Sequence, residues 1–400
     1  LPAPHVVIPD GRIDIPEQLQ GRWRTTHVYP ALSSLFKGRL QIGAFVLEEP
    51  EFTVAVPRLT DSATPAPPPN GGTATLKHQV QKALAQIAAV LPDVTVEIRN
   101  GRIRTEGHLP TPVHLDGFDL DLQLLPESLR IDLRCHSNMW ETLHLSGSLH
   151  PDTLHGKFQL DLAKFNPTIL DEQLPVSPLQ WKINTLNFNA TANLQGLDDA
   201  TGTIQAHIPD LRLQRGRGNI HVAEIQLMTT LAYSPQEGLQ VDLKELHAEQ
   251  PPLHLSGQAI INPSAPLFKI ELMGRHLTID PLRKASMTLA GDDETVEGIF
   301  DVLRGGSVPW IRFTTRGQHF EDMGVFRNMT INGVVDNGKL FIPGAELDLT
   351  RVSGTADISH GILKGSNLRA AYDETTGADG RLWLDLDQDE DVPFFLEIDV

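Results

Sequence analysis

The stretch Phe118-Asp119-Leu120-Asp121-Leu122-Gln123-Leu124 carries an apolar side chain at every second position and a polar one between. Side chains of an extended strand point alternately to opposite faces, so these residues predict a strand with one greasy side and one wet side. Leu129, Ile131, Leu133 and Cys135 repeat the design just downstream, and Val94, Val96 and Ile98 precede it. The same alternation returns in Phe158, Leu160 and Leu162, in Ile204, Ala206 and Ile208, and in Leu239, Val241 and Leu243. Near the end it recurs in Leu382, Leu384 and Leu386, and in Val392, Phe394, Leu396, Ile398 and Val400. Continuous apolar runs, the mark of strands buried on both faces, are nearly absent, and helical periods are few. The pattern therefore argues against a parallel α/β fold.

At ~12 to 15 residues per strand plus turn, the chain holds about 25 strands, and one continuous sheet at ~4.8 Å per strand would be about 120 Å long. A sheet with a bare apolar face does not stand in water, because burying that face drives folding. Two sheets can pack as sandwiches, the sheet can close into barrels, or it can curl into a groove whose lining is covered by acyl chains. Alternation alone permits all three. Asn100-Gly101, between Ile98 and Ile103, predicts a two-residue hairpin turn, and Asn337-Gly338, between Val335 and Leu340, repeats it. The pentapeptide Leu-His-Leu-Ser-Gly occurs at 143–147 and again at 253–257, which suggests a repeated β unit.

Helices serve as punctuation. Pro30 and Gly38 frame a short helix from Ala31 to Lys37, followed by a strand with Leu40, Ile42 and Val46 that Pro50 closes. Residues 61–73, DSATPAPPPNGGT, read as a Pro/Gly-rich linker. Leu76, Val80, Leu84, Ile87 and Leu91 then share one face of an amphipathic helix that Pro92 ends, expected to pack on a core. Asn166-Pro167 and Asp280-Pro281 each offer a cap and a helix start. A longer helix is predicted from Thr295 to Arg304, with Val296, Ile299, Phe300 and Leu303 on one face and Gly305-Gly306 as its stop.

The 33 basic and 51 acidic residues give a net charge of −18, which argues against nucleic acid as a partner and against docking on anionic lipid by charge. Any lipid contact is expected to be apolar. The single cysteine, Cys135, has no disulfide partner, and its neighbour His136 reads as a strand residue rather than a co-ligand. No apolar run approaches the ~18 residues of a membrane-spanning helix. The opening Leu1-Pro2-Ala3-Pro4, without Met, suggests a piece of a longer protein.

Catalytic spacings are missing: no nucleophile elbow, phosphate loop, dinucleotide fingerprint or zinc signature occurs. Asp385, Asp387 and Asp389 begin like a calcium loop, but Glu390 stands where Gly is needed, and they read as a polar strand face. Arg212, Arg215 and Arg217 form the densest basic spot, read as an exposed turn with acids nearby. Asp116, Asp119 and Asp121 offer no acid-base pair, with no His or third carboxylate forced close. No enzyme, metal site or cofactor is implied.

VYPALSSLFKGRLQIGAFVLEEPEF, residues 28–52, resembles the N-terminal region of AsmA-like proteins, with its P-x-L-x-x-L-x-x-G-x-L-x-I unit ending in L-x-x-P. FDVLRGG at 300–306 and NGKLFIPGAELDLTRVSGTADISHGILKGSNL at 337–368 are similar to the C-terminal region of that family. The resemblance implies a Gram-negative envelope protein of the AsmA/TamB type, related to the repeating-groove bridge-like lipid transfer proteins. It implies a periplasmic location and an inner-membrane helix at the N-terminus, absent from this sequence. The fold it implies is mainly β: a long, curled antiparallel sheet forming an elongated groove with an apolar interior, punctuated by a few short α-helices.

Residues 1–60 would form the N-terminal β and short-helix region, 61–73 the linker, 74–290 the repeating groove opened by the amphipathic helix, and 291–400 the C-terminal β region. Acyl chains would lie on Val94, Val96, Ile98, Phe118, Leu120, Leu122, Leu129, Ile131, Leu133, Leu253 and Leu255. The implied function is phospholipid transfer between inner and outer membranes, with phospholipids, the inner membrane, and an outer-membrane or envelope protein as partners. The competing expectation is a non-catalytic structural or adaptor β-sandwich that assists outer-membrane protein assembly.

Overall fold

A computed structural model describes residues 4–16, 18–35, 38, 41–56, 93–107, 112–125, 127–168, 179–196, 198–216, 218–262, 265, 267–290, 294–319, 321–342, 345–385 and 394–399. The expected linker at 61–73, the amphipathic helix at 76–91, Arg217, Asp387 and Asp389 lie outside them. The chain is mainly β, a curled sheet with few helices, and divides into two compact units, residues 1–175 with 184–204 and residues 176–183 with 205–400.

In chain order the first unit holds β1 (Val6–Ile15), β2 (Leu19–Pro30), α1 (Leu32–Leu35), β3 (Ile42–Glu48), β4 (Glu51–Val56), β5 (Val94–Gly107), β6 (His114–Leu125), β7 (Ser128–Ser137), β8 (Thr142–Leu149) and β9 (His155–Phe165). After β10 (Leu179–Ile183), which pairs in the second unit, β11 (Leu186–Gln195) pairs antiparallel with β9. Gly38 has a left-handed φ of +71°, and Pro30 ends β2 instead of opening α1.

The sheet is not wholly antiparallel as expected. β3 and β4 both pair parallel with β5, which requires a long crossover, and the segment between Val56 and Val94 supplies the length.

Neither Asn-Gly pair is a hairpin. β5 runs straight through Asn100-Gly101, where the register with β6 skips a residue and Asn100 takes a left-handed φ of +52°. The reason is a change of partner: β5 lies along β3 before this point and along β4 after it. Glu49, at φ +50°, turns β3 into β4 over buried Pro50, and Asn100 bends β5 to follow. The Glu49 N–H donates to the Arg99 carbonyl at 2.9 Å and the Arg102 N–H to the Pro50 carbonyl at 2.7 Å. Asp119 Oδ1 takes the Asn100 N–H that the bulge frees, at 2.7 Å. Bulges of this kind bend a strand and sharpen its twist, so a row of them curls a sheet.

β12 (Ala200–Arg215) begins in the first unit and continues from Gln205 in the second, which carries β13 (Gly218–Ser234), β14 (Gly238–Ala248), β15 (Leu253–Asn262), β16 (Leu267–Thr278), α2 (Ile279–Ala290), α3 (Glu294–Val302) and β17 (Leu303–Gly317). It continues with β18 (Met329–Ile342), β19 (Leu347–Ser359), β20 (Ile362–Tyr372), β21 (Thr375–Asp385) and β22 (Phe394–Asp399). β13 to β22 form an antiparallel meander. Here too a crease crosses the sheet, through Gly306, Asn337, Arg351, Asn367 and Asp379, all at positive φ on successive strands. Gly306 must be glycine: at φ +107°, a Cβ there would fall 2.5 Å from the Gly338 Cα.

The predicted Thr295–Arg304 helix ends two residues early, because Gly305-Gly306 belong to the crease in β17 and do not cap a helix. Asp280-Pro281 do sit in the first turn of α2. Asp385, expected on a wet face, is 5% exposed at the end of β21. Ile342, Val352, Leu363, Leu368 and Leu382 fill a buried core in this unit.

Candidate functional site

Nine of the eleven residues expected to line a groove come together on one face of the first unit. Val94 faces Leu124, Val96 faces Leu122 and Ile98 faces Leu120 across β5 and β6. Leu120, Leu122 and Leu124 in turn face Leu133, Ile131 and Leu129 on β7. Phe118 stands opposite Gly101 at the bulge. The rows continue in register, from Leu133 through Leu145 and Leu160 to Ala190, and from Ile131 through Gly147 and Phe158 to Ala192. Phe45 and Leu47 on β3 extend them past Val96 and Ile98. Apolar matter thus runs unbroken across seven strands. Of the added members, Phe158 and Leu160 show in the period-two pattern, whereas Gly147 and the two alanines interrupt it; Gly147 makes room for the ring of Phe158.

Burial separates this face from an ordinary core. Val94, Leu124 and Cys135 are buried, whereas Val96, Ile98, Leu120, Leu122, Leu129, Ile131, Leu133, Leu145 and Leu160 are only half-buried. The close neighbours of β5 to β9 among the described residues are other strands.

The remaining two, Leu253 and Leu255, belong to the second unit. Leu253 packs against Leu277, Ile279 and Val308, and Leu255 stands between Leu246 and Gly274. That unit holds a partly open apolar chamber of about 180 Å³ between its sheet and α2 and α3. Ile299, Phe300 and Val302 reach it from α3, and Ile331, Leu363 and Leu382 from the sheet. The expected apolar face of the 295–304 helix was the signal for it.

The reverse face of the first unit is polar and paired. Asp119, Arg134, His144, Asp161 and Asn189 form one in-register row. Glu97, Asp121 and Asp132 form another, so a third carboxylate and a histidine do approach the aspartates, against expectation. Asp132 receives Arg134 Nε at 3.3 Å and His144 Nε2 at 3.0 Å, and Arg99 holds Glu97 at 2.6 Å. Arg99–Glu97 and Arg134–Asp132 pair along their own strands and His144–Asp132 crosses from β8 to β7, with no nucleophile among them. Of the basic spot, Arg212 pairs with Asp210 at 3.3 Å and Arg215 donates to the Leu289 carbonyl. Among the described residues no cluster of three or more His, Cys, Asp or Glu fits a metal ion, and no helix is long and apolar enough to cross a membrane.

No protein-family model, curated protein or solved structure matches the chain.

Proposed function

We propose that this is a lipid-binding, lipid-transfer protein of the periplasm, of the AsmA-like kind, that shields phospholipid acyl chains on its apolar sheet faces. The observation that carries the reading is the seven-strand apolar face of the first unit, half-buried and free of charge. Such a continuous strip suits a hydrocarbon chain, which needs area and no polar partner. Affinity arises from apolar area, at about 25 cal/mol per Å² removed from water, with headgroups left in solvent and little selected. The mechanism is passive: chains slide along the rows while the paired polar face keeps the sheet soluble. The net charge of −18 accords with apolar rather than electrostatic lipid contact. In the full-length protein an N-terminal inner-membrane helix would anchor it, with the outer membrane or an envelope protein at the far end.

A structural or adaptor role is the second reading, and the filled part of the core around Ile342, Leu349 and Leu384, outside the chamber, favours it, because strands that fill their own interior leave no room for lipid there. Native mass spectrometry with lipid extraction, on protein washed free of detergent, separates the two. Several phospholipids per chain support the lipid reading. A lipid-free, compact, monodisperse chain overturns it and directs the search to a protein partner.

A further inference from the structure

β13 to β16 are joined by short turns, but between β16 and β17 the chain inserts α2 and α3. The insertion breaks no ladder, since Thr278 still faces Ser307 and Leu277 still faces Val308. α2 leaves the end of β16 and reaches the start of β13, where Thr288 lies beside Gly218 and the Arg215 guanidinium donates to the Leu289 carbonyl. α3 returns over the chamber, tied to α2 by Arg283 Nε on the Phe300 carbonyl at 3.0 Å.

The chamber lining is apolar apart from Thr355, and a cavity without polar partners stays dry and accepts hydrocarbon. α3, which forms part of its wall, is weakened in its middle. Gly298 sits inside α3, where a Cβ would meet nothing within 4 Å, so packing does not require glycine there although helix stability disfavours it. Beyond Val302 the chain enters the ladder at once, with Leu303 opposite Leu340 and Gly305 opposite Lys339, so Gly298 is the flexible point of α3 itself.

We propose that α2 and α3 form a displaceable plug, with the apolar face of α3 occupying the place on the sheet that one lipid hydrocarbon chain takes when the plug swings out. The proposal rests on the lipid reading above and adds a gated site to it.

The test uses the whole chain and 11-(dansylamino)undecanoic acid as probe, followed by stopped-flow fluorescence and by stoichiometry at saturation, with circular dichroism to establish folding. Gly298→Ala strengthens α3 and slows uptake roughly two- to five-fold. Phe300→Asp loosens the plug and speeds uptake, and Ala356→Phe fills the chamber and removes one probe equivalent. Wild-type rates in both plug variants overturn the proposal, as does loss of the site in Phe300→Asp, which would make α3 a fixed wall. Unchanged stoichiometry in Ala356→Phe places the probe elsewhere and overturns it too. Copurified phospholipid, measured on the same preparations, tests the lipid reading separately. Its absence with plug-dependent uptake sinks that reading alone, and its presence with plug-independent uptake sinks the plug alone.

Discussion

Leu122 on β6 stands directly opposite Ile131 on β7, with Val96 facing it from the other side. It is central to the apolar rows yet only half-buried by protein. Leu122→Asp is therefore expected to cost about 1 to 2 kcal/mol of stability, part of the value of a fully buried leucine. The same change places a charge in the path of an acyl chain, so lipid bound per chain should fall by at least half. Loading and a urea midpoint measured on one preparation decide it. A folded mutant with undiminished lipid would rule out this face as the binding surface.

Ile342 is fully buried in the second unit, whereas Leu120 on β6 is half-buried. Ile342→Ala should cost about 2 to 5 kcal/mol, since it leaves a cavity in a filled core, and Leu120→Ala about 1 kcal/mol in lipid-stripped protein. Urea unfolding of both variants gives the comparison. Equal losses would mean that protein covers the Leu120 face, leaving no place for lipid.

Strand identity was legible because one face is wet: among the described residues, polar and apolar alternation, as from Phe118 to Leu124, marks a strand. Turn chemistry misled, because Asn-Gly serves a bulge as well as a hairpin. The sequence around Asn100 does not reveal that β3 gives way to β4 beside it, and that long-range event decides which form the dipeptide takes. Gly305-Gly306 misled for the same reason, as the helix stop is local and the crease is a property of neighbouring strands. That nine of the expected residues of the first unit share one face was readable from period two, but whether a face is filled is set by what packs over it. Period two is equally strong around Leu120 and around Leu382, although only Leu382 is buried in a core.

Asp121 lies between Glu97 and Asp132 in register, and like charges directly opposite one another destabilise a ladder. Arg99 and Arg134 satisfy the outer two through Glu97 and Asp132. Asp121→Asn should therefore raise stability by a few tenths of a kcal/mol, more at low salt than at high salt because screening weakens the repulsion. Thermal melts at two ionic strengths measure it. A loss of stability at low salt would show that Asp121 answers a positive partner instead.

Glu271 on β16 accepts Arg312 Nε from β17 at 2.9 Å, with Lys269 Nζ 3.5 Å away. The Arg312 hydrogen bond, aided by these positive charges, holds the Glu271 carboxyl below its ordinary value of 4.5. A carboxylate with a depressed folded-state pKa stabilises the fold above its unfolded pKa, and that contribution disappears as pH falls through the folded value. The pair is partly open to water, so it is worth less than ~1 kcal/mol. Wild type should accordingly lose slightly more stability than Glu271→Gln between about pH 5 and the acid limit, while the mutant is the weaker of the two at neutral pH. Urea midpoints across that range read the difference. Parallel curves would show that Glu271 has the same proton affinity folded and unfolded, and that β16 and β17 are joined there by their ladder alone.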